Sequence, residues 1–274
     1  MEIKSSGFEY KASIEPEVKP VKFFPICIDN FFEQPDKIRE WALSLPKEKS
    51  HDGHWPGVRT LPLHTLDKQF HNTLFLKVLS SYFDLKYSDV SWEECKAYFQ
   101  LITPYSNNEG DIQNSGWIHR DDNDDMAGLI YLTPNADLNS GTSLFNLKPE
   151  YEDDFCWYGN HPEKQSFYGE NKSDIETYQK ALLKHNNKFY EKTRFNNLYN
   201  RCVLYDSNEF HKANSFSTGE NERLTLVFFM KGVKAGSPGS ERKARYPLNR
   251  VKDYENFDEK LISRIEYVTQ SKNG

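Results

Sequence analysis

Five short apolar runs in the middle of the chain restrict its architecture more than any other feature. They are KAYFQLIT (96–103), AGLIYL (127–132), TSLFNL (142–147), RCVLYDS (201–207) and RLTLVFFMKG (223–232), each bounded by Gly, Asn, Asp or Pro. Runs of this length, rich in aromatic and β-branched residues, suit strands and are too short for independent helices. A series of them separated by turn residues predicts a sandwich or barrel of the jelly-roll kind. With 19 Phe, 16 Tyr and 5 Trp in 274 residues, its core is expected to be built largely from flat rings.

Helices flank this series. KFFPICIDNFF reads as a short strand leading into a helix over 34–45, with Pro35 at its start and Ile38, Trp41, Ala42 and Leu45 on one face. A second helix is predicted from Leu66 to Tyr82, with Phe70, Leu74, Val78 and Leu79 inward. A third is predicted within SDIETYQKALLKHNNKFYEK, capped by Ser173, where Ile175, Tyr178, Leu182, His185 and Phe189 fall at helical spacing. A last stripe, Leu261, Ile262, Ile265 and Val268, predicts a helix near Asp258 to Thr269. The class is therefore mainly β with flanking helices (α+β). Residues 1–94 form an arm and supporting helices, 95–233 the β core with an insertion at 148–199, and 234–274 a linker and C-terminal helix, all in one compact domain.

The formal charge of −6 and pI near 5.8 argue against a phosphate backbone as main partner. Cys27, Cys95, Cys156 and Cys202 form no CxxC pair, the first twenty residues carry no apolar leader, and LTLVFFM is too short to span a bilayer. These features predict a cytoplasmic protein with reduced thiols and no membrane partner.

The chemistry concentrates in GWIHRDDNDDMAGLIYL (116–132). With 8 His and 41 acidic residues, a His-x-acid match is expected by chance, and there are two, His119-Arg120-Asp121 and His161-Pro162-Glu163. Context separates them. His119 leaves a strand-like WIH segment, where residues i and i+2 point the same way, so His119 and Asp121 can meet one ion; His161 sits in a polar stretch before a proline. Downstream, His211 follows RCVLYDS and a short turn, and Arg223 opens the strongest strand. In that strand Arg223, Thr225 and Val227 share one face. An arginine on an inward face is costly unless it meets an anion. Two histidines and one carboxylate leave open positions on a non-haem Fe(II). A divalent iron and Arg223 would be balanced by Asp121 and a dicarboxylate, so the buried charge sums to zero.

The order HRD, AGLIYL, SGTSLF, His211 and RLT resembles the double-stranded β-helix, a cupin-like jelly roll, of the 2-oxoglutarate/Fe(II)-dependent oxygenase superfamily. The likeness runs over about residues 95 to 233 and is nearest the prolyl-4-hydroxylase-like branch; IDNFFEQPDKIREWAL is similar to the entry segment of that branch. The resemblance implies a dioxygenase that uses Fe(II), 2-oxoglutarate and O2. It would hydroxylate a protein side chain or small metabolite and release succinate and CO2. By position, His119, Asp121 and His211 would bind iron, and Arg223 would pair with the C5 carboxylate of 2-oxoglutarate. Thr225 would add a hydroxyl hydrogen bond, and Tyr131 and Gln100 would line the cosubstrate pocket. Trp55 and Arg59, in the loop before the barrel, are candidates for a substrate lid. SGTSLF has one glycine where the branch often has two, and the insertion is long; both bear on the substrate.

Rival readings remain. Counted from Asp121 as a calcium loop, Met126 stands where glycine is required and Leu132 where glutamate is required, so that match fails. His51, His54, His64 and His71 resemble half a zinc site but lack cysteine or useful acids, and ring packing explains them better. A non-catalytic jelly-roll binding protein and a cupin-like metalloenzyme without cosubstrate are the alternatives to the oxygenase. Only the oxygenase needs Arg223 near the metal. No GxSxG, P-loop or GxGxxG occurs.

Overall fold

A computed structural model of the chain describes residues 23–49, 56–86, 90–105, 111–121, 124–151, 162–168, 175–219 and 222–235. The N-terminal arm, His51, His54, Trp55, Cys156, His161, Ser173 and the helix expected at Asp258–Thr269 lie outside these residues.

The elements follow in order: β1 (Ile26–Ile28), α1 (Pro35–Ser44), β2 (Val58–Arg59), α2 (Leu63–Leu66), α3 (Lys68–Ser80), β3 (Val90–Ser91), β4 (Glu94–Ile102) and β5 (Met126–Tyr131). Next come β6 (Thr142–Leu147), α4 (Pro162–Tyr168), α5 (Ile175–Asn186), β7 (Phe189–Phe195), β8 (Cys202–Asp206), β9 (Phe210–Ala213), β10 (Arg223–Lys231) and β11 (Lys234–Ala235). The large sheet has the order β1-β8-β5-β10-β4-β2, the small sheet β7-β6-β9, and β3 pairs with β11. Every pairing is antiparallel. Neighbours in each sheet are mostly distant in sequence, as in a jelly roll, so the two sheets face each other as a double-stranded β-helix.

Strand β10 shows how the sequence sets the layers. Its alternate residues Leu224, Leu226 and Phe228 join the cluster built from the helices, including Leu74, Phe75, Val78 and Leu79. The intervening Val227 packs between the sheets with Leu129, Tyr131, Val203, Tyr205 and Leu144. Being buried on both faces, the strand reads as a continuous apolar run rather than an alternating one. Gly128 of β5 lies opposite Phe228, and a Cβ there would stand 2.5 Å from that ring, so the sheet needs glycine at this point.

The helices cover the outer face of the large sheet. Pro35 occupies the first turn of α1, where the missing N–H costs nothing. Trp41 then meets Phe99 edge-on at 5.2 Å. The predicted second helix is broken by Asp67, whose carboxylate accepts from Phe70 N at 2.8 Å and caps α3. Each fully buried Leu or Phe on α3 stabilises the packing by about 1.5–3 kcal/mol.

Three expectations change. The helix predicted through Phe189 ends at Asn186, and Phe189–Phe195 is a strand paired with β6. Part of the 148–199 stretch therefore belongs to the small sheet. WIH is not a strand; only His119 makes a bridge, to His211. His211 is in strand β9 rather than in a turn.

Candidate metal centre

Backbone pairing builds the site. His119 N donates to His211 O at 3.0 Å and His211 N to His119 O at 2.8 Å, so two residues ninety-two positions apart face each other as a ladder pair. Their rings lie 4.4 Å apart. Asp121, two residues on, is fixed by its N–H donating to Ser207 O at 3.0 Å, while Arg120 between them turns over the Phe210 ring at 5.0 Å. The alternation expected of an extended segment thus puts His119 and Asp121 on one side. His211 Nε2 stands 3.4 Å from Asp121 Oδ2, and His119 Nε2 stands 3.9 Å from Asp121 Oδ1. One ligand atom from each of the three side chains falls within 4.8 Å of the others.

The outer nitrogens define the tautomers. His119 Nδ1 contacts Trp117 O at 2.9 Å and His211 Nδ1 contacts Glu209 O at 2.9 Å. A carbonyl only accepts, so each Nδ1 carries the proton and donates, leaving each Nε2 lone pair directed at Asp121. This is the support that metal-binding imidazoles require. Burial first, and then His211, hold the His119 pKa well below the ordinary imidazole value, so its ring is neutral. Burial and then Asp121 push Asp124 up to about 6. Tyr205, buried, sets its ring 4.7 Å from His211. This donor set of neutral imidazoles and one carboxylate fits a divalent transition ion.

The segment before His119 is clamped by α5. Asn186 Oδ1 accepts from Ile118 N at 3.0 Å, its Nδ2 donates to Gly116 O at 3.0 Å, and His185 Nε2 contacts Ile118 O at 2.7 Å. His185 is legible in the sequence only as an inward helix residue, and Asn186 carries no signal at all.

The residues expected around a cosubstrate fall into one row. Register places Arg59 opposite Gln100, Gln100 opposite Thr225, and Thr225 opposite Tyr131, across β2, β4, β10 and β5. Gln100 Oε1 accepts from Arg59 Nε at 2.8 Å, and Tyr131 OH donates to Thr142 Oγ1 at 3.0 Å. Arg223, two residues from Thr225 on the same face, is 2% exposed. Its Nε makes one long contact, 3.4 Å to Ser140 O, and its guanidinium lies 5.7 Å from the Tyr131 ring centre. Arg223 Nη2 and Thr225 Oγ1 are buried without a hydrogen-bond partner among the described residues. An unpaired buried guanidinium is an anion site by its physics.

The rival histidine cluster reduces to packing where it is described: His64 meets His71 edge-on at 5.6 Å, and His71 lies 4.8 Å from Phe75. Among the described residues no helix is long and apolar enough to cross a membrane.

The model of a family of unknown function, DUF6445, matches residues 15–229. No curated protein matches the chain. Similar solved structures include HygX of Streptomyces hygroscopicus with nickel and 2-oxoglutarate bound, at 12% identity, covering 76% of this chain and 82% of that one, with TM-score 0.44. A Pseudomonas putida prolyl-4-hydroxylase is 11% identical over 76% of this chain and 92% of its own, with TM-score 0.39. A prolyl 4-hydroxylase from Phytophthora capsici is 16% identical over 86% of this chain and 68% of its own, with TM-score 0.40.

Proposed function

The chain belongs to DUF6445, a family of unknown function, and from the geometry of its site we propose that it is an Fe(II)- and 2-oxoglutarate-dependent dioxygenase. Its substrate on this reading is a protein side chain or a small metabolite that becomes hydroxylated. The observation that carries the proposal is the pairing of two features. Two neutral imidazoles and a carboxylate converge on one point, and a buried guanidinium stands unpaired on the inner face of the large sheet. A metal site alone would need no such cation.

Bound iron with 2-oxoglutarate and O2 supplies the oxidising chemistry, in which the cosubstrate leaves as succinate and CO2 and a substrate C–H becomes C–OH. The protein's own work is holding and excluding. His119 and His211 present neutral Nε2 atoms without first losing a proton, and Asp121 adds one negative charge. Arg223 takes the far carboxylate of the cosubstrate, which gives its Nη2 the partner it lacks, and the Thr225 hydroxyl donates to the same group. Tyr131 and Gln100 form the wall between these residues and the metal point. The packed rings and aliphatic chains between the sheets keep water from the reacting groups.

Anaerobic addition of Fe(II) and 2-oxoglutarate to the full chain should produce a weak visible charge-transfer band. His119→Ala or Asp121→Ala should abolish it, and absence of the band from folded wild-type protein overturns the proposal.

A further inference from the structure

We infer that the substrate bears a carboxylate and that Arg59 and Lys164 receive it, at a place separate from Arg223. This deepens the oxygenase reading and rests on it for the identity of the neighbouring metal and cosubstrate.

Arg59 extends from β2 over the inner face of the large sheet. Gln100 holds its Nε, and its guanidinium lies 5.4 Å from the Tyr98 ring centre and 6.0 Å from that of Phe229. Tyr98 pairs with Val227, four residues beyond Arg223 and so about 14 Å along the strand. The two guanidinium groups therefore serve different parts of the inner face.

Lys164 comes from the other side. Helix α4 docks through Phe167, which stacks on Tyr178 at 3.8 Å and also meets Tyr105 at 5.6 Å. Tyr178 in turn accepts from Trp117 Nε1 at 3.0 Å, two residues before His119. Lys164 precedes Phe167 by three positions and shares its helix face, which directs the amine toward the 117–121 segment. It is half-buried and makes no hydrogen bond or ion pair among the described residues.

Burial lowers the pKa of both cations, and Asp121 is a carboxylate that acts on both. Asp121 cannot neutralise them and the metal together. A divalent ion and Arg223 are balanced by Asp121 and the dicarboxylate cosubstrate, which leaves Arg59 and Lys164 as surplus positive charge beside a largely dry site. Surplus of this kind is costly until an anion arrives, and a planar guanidinium with a point-like ammonium suits a carboxylate. The segments outside the oxygenase core, β2 and α4, thus supply the discrimination, while the jelly roll supplies the metal and cosubstrate groups.

The test compares N-acetylglycine with N-acetylglycinamide, which differ in the carboxylate alone. With Fe(II) and 2-oxoglutarate bound anaerobically, the acid should perturb the visible band at a concentration about tenfold or more below that needed for the amide. Lys164→Gln should erase that preference, and Lys164→Arg should retain it. In a second arm without metal, the acid should raise the melting temperature of the wild type and of Arg223→Met, but not of Lys164→Gln. Equal responses to acid and amide, or a preference undiminished in Lys164→Gln, overturn the inference. If no band forms but the metal-free melting shift follows Lys164, the iron reading fails and the carboxylate site stands.

Discussion

Replacing Arg223 with methionine should stabilise the ligand-free protein, a result opposite to that usually expected of a buried substitution. The wild-type guanidinium is 2% exposed, its single hydrogen bond is 3.4 Å long, and its aromatic contact at 5.7 Å is near the limit of useful range. Losing those contacts costs about 1 kcal/mol. Removing a buried charge whose Nη2 has no partner recovers more, since exchanging buried ions for apolar groups of similar size gains up to about 1–4 kcal/mol. The net expectation is a gain of about 1–3 kcal/mol, which at about 2–4 °C per kcal/mol raises the melting temperature by roughly 2–12 °C. The same variant should lose the stabilisation that 2-oxoglutarate confers on the iron-loaded wild type, about 2.7 kcal/mol at one hundred times its dissociation constant. Thermal and urea unfolding of both proteins, with and without ligand, read the two effects. A ligand-free Arg223→Met protein less stable than wild type by more than about 1 kcal/mol would refute the reasoning, because the guanidinium would then be holding the sheets together.

Three further outcomes follow from the same geometry. Gly141→Ala should destabilise by about 2–5 kcal/mol in urea unfolding, because its Cβ would stand 1.8 Å from Phe195 O in the β6–β7 ladder and endanger the Asn214 N to Gly141 O bond; Gly219→Ala, with nothing within 4 Å of its Cβ, is the comparison for crowding. Burial lowers the His71 pKa, so the unfolded chain takes up a proton that the folded chain resists; its contribution is intact above about pH 6.5 and is lost as the pH falls below that value, and His71→Gln should shrink the stability difference between about pH 7.5 and pH 5.5. Cys27 is exposed, whereas burial pushes Cys95 up to about 12 and Cys202 well above its ordinary value, so mass mapping after thiol labelling near neutral pH should find Cys27 modified well before the other two.

The strands of the large sheet are legible in the sequence because burial on both faces leaves unbroken apolar runs between turn residues. Pro35 likewise marks the start of α1. Strand β7 is not legible, since Phe189 sits at helical spacing from His185 and Leu182, and only pairing with β6 makes the segment a strand. The His119 and Asp121 pair can be read from two-residue alternation, and Arg223 from the cost of an inward cation. The distance from His211 to either, and the row joining Arg59 to Tyr131, exist only through cross-strand register. Lys164 gives no sequence signal, because its position depends on how Phe167 docks against Tyr178.

The mutual backbone bonds of His119 and His211 tie ion capture to the cohesion of one sheet edge. Neither imidazole hangs on a loose loop, so little ordering is spent when an ion arrives, and the donor atoms separate only if that edge opens. Loss of the ion and fraying of the small sheet should therefore be a single event, with protection of these two amides against hydrogen exchange rising and falling with occupancy.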